Sequence, residues 1–306
     1  MDATFFLEQV FNGLGYGFML FLLAAGLTLV FGIMDTLNLA HGSLFMAGGY
    51  VSATVHAQSG SFVGAVLIAV AATFVLAIVL EACLVRRLYQ RDHLSQVLAT
   101  FGVVLIADDV VKFLWGPSPI MAPTPAALSG PVNLLGFVPY PSYRLLILGA
   151  GLLIAAGLYW LVNHTRLGML VRAGASNRAM AEFMGVQVSK IFTLVFGLGA
   201  ALAAIAGALM APISAVAVGM GEAILIPALV VIVIGGIGSV RGAFVASMLV
   251  GMVDTAGRAF LPPLLRETLS PTLAADIGPA VSSIAMYMLM AGVLVFKPSG
   301  LFPARV

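Results

Sequence analysis

The chain has 306 residues, of which 61% are hydrophobic and only 8% are charged, and its formal net charge is +2. A soluble globular domain has about one quarter charged residues, so the composition excludes that class. It also excludes an intrinsically disordered chain and a nucleic-acid-binding domain, because both need a high charge density. What remains is a polytopic membrane protein, in which the few polar residues are informative.

Nine apolar stretches, bounded by polar residues, follow one another along the chain. One crossing of a bilayer needs about 20 helical residues, whereas barrel strands would show shorter alternating patterns. We therefore expect an all-α membrane protein, a polytopic helical bundle of seven to nine spans in a single transmembrane domain over residues 1–306. The nine stretches are 10–33, 40–57, 61–85, 94–115, 144–163, 190–212, 222–238, 241–257 and 277–296.

Lysine and arginine are distributed unevenly between alternate connections. If the N-terminus lies outside and every stretch crosses, ten of the 14 basic residues lie inside and four lie outside. Cytoplasmic connections carry the excess of basic residues, so the expected orientation is N-out, C-in. Three stretches, 40–57, 222–238 and 241–257, have only 17 or 18 residues and are interrupted or flanked by glycine. Such stretches can be half-helices or a re-entrant hairpin.

The first short stretch begins with a polar group. Asn38, His41 and Gly42 are spaced i, i+3 and i+4, so they share one face where a helix enters the membrane from inside. They can face a transported solute, or His41 can be a connector residue without substrate contact. Both interpretations stay open on the pattern alone.

The stretch 94–115 contains three charged residues, Asp108, Asp109 and Lys112. An ion-coupled carrier keeps ionisable residues in mid-membrane, but Asp108 would lie about 20 Å along the helix, near the outer interface. Asp108 and Lys112 are four residues apart and can form a structural pair. We expect such a pair here, and an ion-coupled secondary carrier remains the alternative.

The longest internal polar connection, 164–190, lies on the cytoplasmic side by the charge count. Asn177 or Ser176 can cap a short helix in it, and Gly185 can end that helix. Its apolar residues recur at three- and four-residue spacing. They are Met180, Phe183 and Met184. This amphipathic helix can dock into a partner's groove or lie on its own bundle or on anionic lipid.

A glycine-rich break separates the stretches 222–238 and 241–257. Backbone groups that are freed from helical bonding there must bind water, protein or substrate. Half-helix ends can supply the dipoles that a zwitterionic amino acid needs without a buried charge. Tight turning is the other interpretation of the glycines. The residues of the break are Gly235, Gly236, Gly238 and Ser239.

Motifs for chemistry are missing from the sequence. It has no GxxxxGK[ST], HExxH, CxxC or GxSxG motif, and its one cysteine, Cys83, excludes a thiolate cluster. We therefore expect no enzyme, no metal and no cofactor bound by this chain, which leaves transport as the leading class.

Five blocks of the sequence resemble one family. RLGMLVRAGASNRAMAEFMGV is similar to the coupling segment of ABC importer permeases, and its Ala179 replaces an acidic residue as in the branched-chain amino acid (LivH/LivM-type) permeases. The NxAHG core at 38–42, LSQVLATFGV at 94–103, GGIGSVRGA at 235–243 and FKPSGLFP at 296–303 resemble further blocks of that family. These blocks occur in order over almost the whole chain.

The resemblance implies a permease subunit of an ATP-driven importer that moves branched-chain or related hydrophobic amino acids across the bacterial inner membrane by alternating access. A solute such as an amide, urea or an aromatic acid fits the same resemblance. The implied partners are a second LivM-type permease, two cytoplasmic ATP-binding subunits that hydrolyse the ATP, and a periplasmic binding protein. Lipid surrounds the chain, and no nucleic acid is implied.

The resemblance also assigns site residues. ATPase coupling is expected in the segment of about 166–190, at Asn177, Arg178, Ala181, Glu182 and Gly185. The translocation pathway is expected at Asn38, His41, Gly42, Thr100, Gly102, Gly235, Gly236, Gly238 and Ser239.

Overall fold

The computed structural model describes residues 3–34, 36, 38–89, 91–134, 138–267 and 270–302, without the side chains of Ala3, Arg178 and Ala179. The helices are α1 Ala3–Met34, α2 His41–Ser59, α3 Phe62–Leu80, α4 Arg86–Leu88, α5 His93–Trp115, α6 Ser142–His164, α7 Arg166–Ser176, α8 Arg178–Phe183, α9 Val188–Met210, α10 Met220–Gly235, α11 Val240–Leu265 and α12 Pro271–Phe296. A π-helical turn, Glu81–Val85, joins α3 to α4, and Ala126–Leu128 form a 3₁₀ turn.

Each of the nine predicted apolar stretches overlaps one main helix, because backbone groups in lipid must be hydrogen-bonded within the segment. Within the described ranges, six helices are long and apolar enough to cross a membrane, and α10 is a shorter apolar helix. The six are Thr4–Met34, Phe62–Leu88, Ser142–His164, Val188–Met210, Val240–Leu265 and Pro271–Phe296.

The predicted short stretch 241–257 is wrong in length, since α11 has 26 residues and continues to Leu265. The prediction ended the stretch at the charge of Arg258. In the structure, Arg258 Nε donates to Asp254 Oδ2 at 2.8 Å, one turn earlier on the same helix. A charge that is paired within the helix does not interrupt it, so the helix runs through this position.

Helices α1 and α9 form the centre of the bundle. In their most apolar windows 83% and 67% of the residues are buried, against 11% in α12 at the periphery. Glycine and alanine let the central backbones approach closely. A Cβ atom added to Gly26 of α1 would lie 2.6 Å from the carbonyl oxygen of Gly199 of α9. The small residues of α9 therefore serve contacts within the chain.

The connection between α5 and α6 contains a β-hairpin, which departs from the expected all-α fold. Strands β1 Pro131–Leu134 and β2 Val138–Pro141 pair antiparallel, with Val132 opposite Tyr140. In β2 the residues alternate between buried and exposed, the period of a strand with one face on the bundle. Outside the hairpin, Ile120 exchanges two backbone hydrogen bonds of 2.9 Å with Val216 of the α9–α10 connection.

The charged pair on α5 also differs from the expectation. Lys112 Nζ bonds to Asp109 Oδ1 at 3.1 Å, three residues earlier, instead of to Asp108. The side chains of Lys112 and Asp109 are 49% and 78% exposed. Because both side chains are exposed on the surface of the chain, Lys112 and Asp109 form a surface ion pair.

Candidate translocation site and coupling segment

The connection between α1 and α2 joins two of the sequence blocks. Asn38 Oδ1 accepts a hydrogen bond of 3.1 Å from the backbone N–H of Ala40, which orders the approach to α2. The backbone N–H of Leu39, between these two residues, donates to Thr100 Oγ1 of α5 at 3.2 Å. The Thr100 hydroxyl in turn donates to the carbonyl of Gln96 at 2.8 Å. The structure therefore places Thr100 beside Asn38, 62 positions away in the sequence.

The start of α2 is polar, buried and incompletely hydrogen-bonded. His41 is 1% exposed and Asn38 is 2% exposed. His41 Nε2, Asn38 Nδ2 and Ser43 Oγ have no hydrogen-bond partner among the described residues. Buried polar atoms are nearly always paired, so three unpaired ones within six residues indicate a position where a polar ligand or water binds. The N–H groups of His41, Gly42 and Leu44 at the start of α2 already bond to the carbonyl oxygens of Asn38, Leu39 and Ala40, so the unpaired atoms named here are side-chain atoms.

Helix α10 begins at the same place. Gly42 of α2 and Gly221 of α10 touch backbone to backbone, and a Cβ atom added to either would collide with the carbonyl group of the other. Gly219, the residue before α10, has φ of 82°, which favours glycine. Two helix N-termini, each with a partial positive charge, thus meet inside the bundle. These two helices correspond to two of the three short stretches for which the sequence analysis expected half-helices or a re-entrant hairpin.

The glycine break lies elsewhere in the bundle. Gly236 and Gly238 have φ of 99° and 78°, and the Ser239 hydroxyl caps α11 by accepting from the N–H of Gly242 at 3.1 Å. A Cβ atom added to Gly32 of α1 would lie 2.7 Å from Gly238 Cα, whereas one added to Gly26 would lie 2.9 Å from His41 Nε2. Gly26 and Gly32 are about 9 Å apart along α1, so the break does not share the site of His41.

The C-terminal tail closes the glycine break. The backbone N–H groups of Leu301 and Phe302 donate to the carbonyl oxygens of Ile234 and Gly235 at 2.8 and 3.0 Å. These carbonyls at the end of α10 would otherwise have no partner in their helix. Two blocks that the sequence showed far apart, the glycine break and the tail, therefore form one structural unit.

Gly102 joins neither group. It lies on α5, and a Cβ atom added to it would meet no atom within 4 Å. The predicted pathway residues thus fall into two clusters and one isolated position. The first cluster is Asn38, His41, Gly42 and Thr100, and the second is Gly235, Gly236, Gly238 and Ser239.

The predicted capping of the coupling segment is confirmed. Asn177 Oδ1 accepts from the N–H of Met180 at 2.9 Å at the start of α8. Gly185 has φ of 83° just after the helix, and the N–H of Val186 donates to the carbonyl of Ala181 at 3.0 Å. This is the bonding of a glycine-terminated helix. The preceding helix α7 was missed by the sequence analysis, although Thr165 caps it by accepting from the N–H of Gly168 at 3.2 Å.

Apolar side chains point away from the bundle along α8. Phe183 is 88% exposed, Met184 is 79% exposed and Met180 is 60% exposed. Ala181 is 6% exposed and packs in the core, so its side chain is not part of this surface. Glu182 is exposed, and the side chain of Arg178 lies outside the described residues. A cluster of this kind on a short helix is the form of a protein-docking surface.

Glu81 was missed by the sequence analysis, although a glutamate inside an apolar stretch is itself a signal. It is fully buried in the π-helical turn. Its carboxylate binds Arg86 through both oxygens at 3.2 and 2.8 Å, and accepts from the Tyr89 and Thr193 hydroxyls at 2.8 and 2.9 Å. Because Thr193 belongs to α9, this network attaches α3 and α4 to the helix that follows α8.

Replacing Glu81 by glutamine is expected to destabilise this junction by roughly 1–3 kcal/mol, the usual cost when a buried charged hydrogen-bond group loses its partners. Chemical unfolding of the purified chain in detergent measures the change. Glu267→Gln is the matched control, because Glu267 is exposed. Equal unfolding curves for the two variants would contradict the role of the Glu81 network.

Known proteins resemble this chain over most of its length. The family model described as the permease component of the branched-chain amino acid transport system matches residues 9–295. The permease LivH of Escherichia coli K12 is 27% identical over 87% of this chain and 90% of its own length, and BraD of Pseudomonas aeruginosa is 27% identical over 97% and 95%. The ribose import permease RbsC of Escherichia coli K12 is 26% identical over 83% and 79%.

A solved structure described as an inward-facing metal-chelate type ABC transporter superposes with a TM-score of 0.48 at 14% identity, covering 94% of this chain and 85% of that one. The family match extends from α1 to α12 and includes the α2 start, the coupling segment and the glycine break. The chain therefore belongs to the branched-chain amino acid transport permease family, as a multi-pass membrane subunit of an ABC transporter.

Proposed function

We propose that this chain is the permease subunit of an ATP-driven importer for branched-chain or related hydrophobic amino acids in a bacterial inner membrane. Residues 1–306 form one permease domain, oriented N-out and C-in, with the coupling segment at 166–190. The relatives LivH and BraD, which are named for branched-chain amino acid transport, support this over nearly the whole chain.

The exposed apolar surface of α8 carries the proposal. Phe183, Met184 and Met180 are mostly exposed in the described part of the chain, and they lie next to the caps formed by Asn177 and Gly185. A rigidly capped helix that presents a large aromatic side chain suits a groove in a cytoplasmic ATP-binding subunit. Two such subunits bind and hydrolyse the ATP, so the permease itself needs no cofactor.

The solute passes the meeting point of α2 and α10 in this proposal. The unpaired polar atoms of Asn38 and His41, beside the partial positive charges of the two helix N-termini, can replace water around an amino acid carboxylate. Thr100 holds the connection that carries Asn38. A neutral or zwitterionic solute fits this site better than an ion, because the described buried polar residues there, Asn38, His41, Ser43 and Thr100, present dipoles and form no ion pair with one another.

Transport follows alternating access. Closure of the ATP-binding subunits moves the coupling segment, and the bundle changes between inward-open and outward-open states. The glycine break with its capping tail is proposed to serve as a hinge region of this motion. A second LivM-type permease completes the pathway, and a periplasmic binding protein delivers the solute.

Reconstitution tests the proposal. Proteoliposomes that contain the chain, its permease partner and the two ATP-binding subunits are expected to accumulate labelled leucine when ATP and the binding protein are supplied. Without the ATP-binding subunits, accumulation should fall to the level of empty liposomes. Uptake that persists without them and follows a sodium or pH gradient would contradict the proposal, and its loss in Asp109→Asn would then favour a secondary carrier.

A second candidate is a permease of the same type for another small solute, such as an amide, urea, an aromatic acid or a sugar. The 26% identity with the ribose permease is almost the same as that with LivH. Competition by unlabelled solutes in the leucine assay separates these cases. Competition by ribose or urea but not by isoleucine would favour the second candidate.

A further inference from the structure

A cavity of about 1030 Å³ opens at one end of the bundle, beside the glycine break, whose Gly238 and Ser239 line it, and apart from the meeting point of α2 and α10. It lies where α1 and α6 end and α11 begins, and α7 forms one of its walls. Small-ligand pockets have volumes of about 300–1,000 Å³, so this cavity can hold a group at least as large as a drug-sized ligand.

The cavity is basic. Arg172 of α7 and Arg241 of α11 line it, and none of the described lining residues is acidic. The guanidinium of Arg172 donates to the carbonyl of Val162, and Arg241 Nη2 donates to the hydroxyl of Tyr159 at 3.1 Å. The Arg241 guanidinium also lies 5.1 Å from the centre of the Tyr159 ring. Each guanidinium has five N–H donors, so both keep donors for an anion.

Neighbouring residues place the cavity at the level of a membrane interface. The candidate spans Thr4–Met34 and Ser142–His164 both end here, and Val240–Leu265 begins here. Tyr159 and Trp160 on α6 are 44% and 62% exposed, and aromatic residues concentrate at the interface. Under the proposed orientation this is the cytoplasmic interface, where the leaflet carries anionic lipids.

We propose that this cavity binds the phosphate of an anionic phospholipid headgroup between Arg172 and Arg241. Asn163 and Ser176, which also line the cavity, supply neutral hydrogen bonds to the headgroup. Leu152 and Leu153 of α6, which are 59% and 73% exposed, provide apolar surface nearby for the acyl chains. Basic pockets between helices on the cytoplasmic side bind such headgroups.

The charge of the cavity distinguishes a lipid phosphate from a transported amino acid. A zwitterion would bring its ammonium group between two guanidinium groups, without an acidic residue among the described lining residues to pair with it. A phosphate diester has one negative charge and no need of such a partner. Its oxygens match the fork of donors that arginine presents.

The experiment uses the full chain, purified in a neutral detergent and analysed by native mass spectrometry. It is incubated with phosphatidylglycerol, with phosphatidylcholine of the same acyl chains, or with inorganic phosphate. The wild-type chain is expected to retain one phosphatidylglycerol in preference to phosphatidylcholine. Because each arginine near an anionic lipid contributes a factor of about five, Arg172→Gln/Arg241→Gln should lower this retention about 30-fold.

Matched variants separate a site from general charge loss. Arg87→Gln/Arg91→Gln removes the same charge from exposed positions outside the cavity and should retain the lipid as the wild type does. Arg172→Lys/Arg241→Lys keeps the charge and should retain more phosphatidylglycerol than Arg172→Gln/Arg241→Gln. Lipid retention by the lysine variant also shows that substitutions at these positions leave the chain folded. The proposal would be overturned if both double glutamine variants lost phosphatidylglycerol equally, or if the wild type retained phosphatidylcholine as well as phosphatidylglycerol. Binding of inorganic phosphate without lipid would overturn it too.

Discussion

Replacing Gly48 by leucine is expected to prevent α2 from packing on α9 and to abolish the folded bundle. A Cβ atom at this position would lie 2.5 Å from Ala204 Cα and 2.7 Å from the Ala204 carbonyl oxygen. Both are backbone atoms, so no side-chain rotation relieves the clash. Adding methylene groups to a well-packed core costs about 1–3 kcal/mol, and a backbone clash between two central helices should exceed about 3 kcal/mol. Such a loss is a large part of the stability of a folded domain.

Gly149→Leu is the matched control for Gly48→Leu. A Cβ atom added to Gly149 on α6 meets no atom within 4 Å, and leucine favours a helix over glycine by about 1 kcal/mol. Size-exclusion chromatography and thermal unfolding in detergent should show a monodisperse chain for Gly149→Leu and aggregated or absent protein for Gly48→Leu. A Gly48→Leu chain that elutes and unfolds like the wild type would disprove the close contact between α2 and α9.

The helices of this fold could be predicted because lipid imposes a strong constraint. Each crossing needs a continuous apolar helix, and such a helix is visible in the sequence. The end of α11 was missed because the Asp254–Arg258 pair stabilises a charge within the helix, and hydropathy alone does not register pairing. The hairpin of β1 and β2 was missed because the sequence analysis considered the apolar stretches and made no prediction for the connection 116–143 between two of them.

The candidate site could be predicted only in part. Asn38, His41 and Gly42 lie close in sequence, so their common helix face follows from spacing. The hydrogen bond from Leu39 to Thr100 and the contact between Gly42 and Gly221 join distant parts of the chain, which spacing does not reveal. For the same reason, the sequence could not show that the glycine break lies apart from His41.

Replacing Phe183 of α8 by alanine is expected to weaken binding of the ATP-binding subunits without destabilising the permease. Phe183 is 88% exposed, so Phe183→Ala should change the free energy of unfolding by less than about 0.5 kcal/mol. If Phe183 fills a groove in an ATP-binding subunit, the truncation removes an aromatic anchor. Such anchors contribute at least about 2 kcal/mol, which corresponds to roughly 30-fold weaker binding of the subunit.

Phe113→Ala makes this prediction specific to α8. Phe113 on α5 is also 88% exposed, so the two variants remove the same side chain at equal exposure from different places. Binding of the ATP-binding subunits to the detergent-purified permease should fall roughly 30-fold in Phe183→Ala and stay at the wild-type level in Phe113→Ala. Leucine uptake by the reconstituted complex should fall in Phe183→Ala only. Equal effects of the two variants would mean that α8 does not transmit ATP-driven motion. If Phe183→Ala alone weakens binding and its unfolding curve matches that of the wild type, the fold is intact. The weaker binding then comes from the lost contact between Phe183 and the ATP-binding subunit.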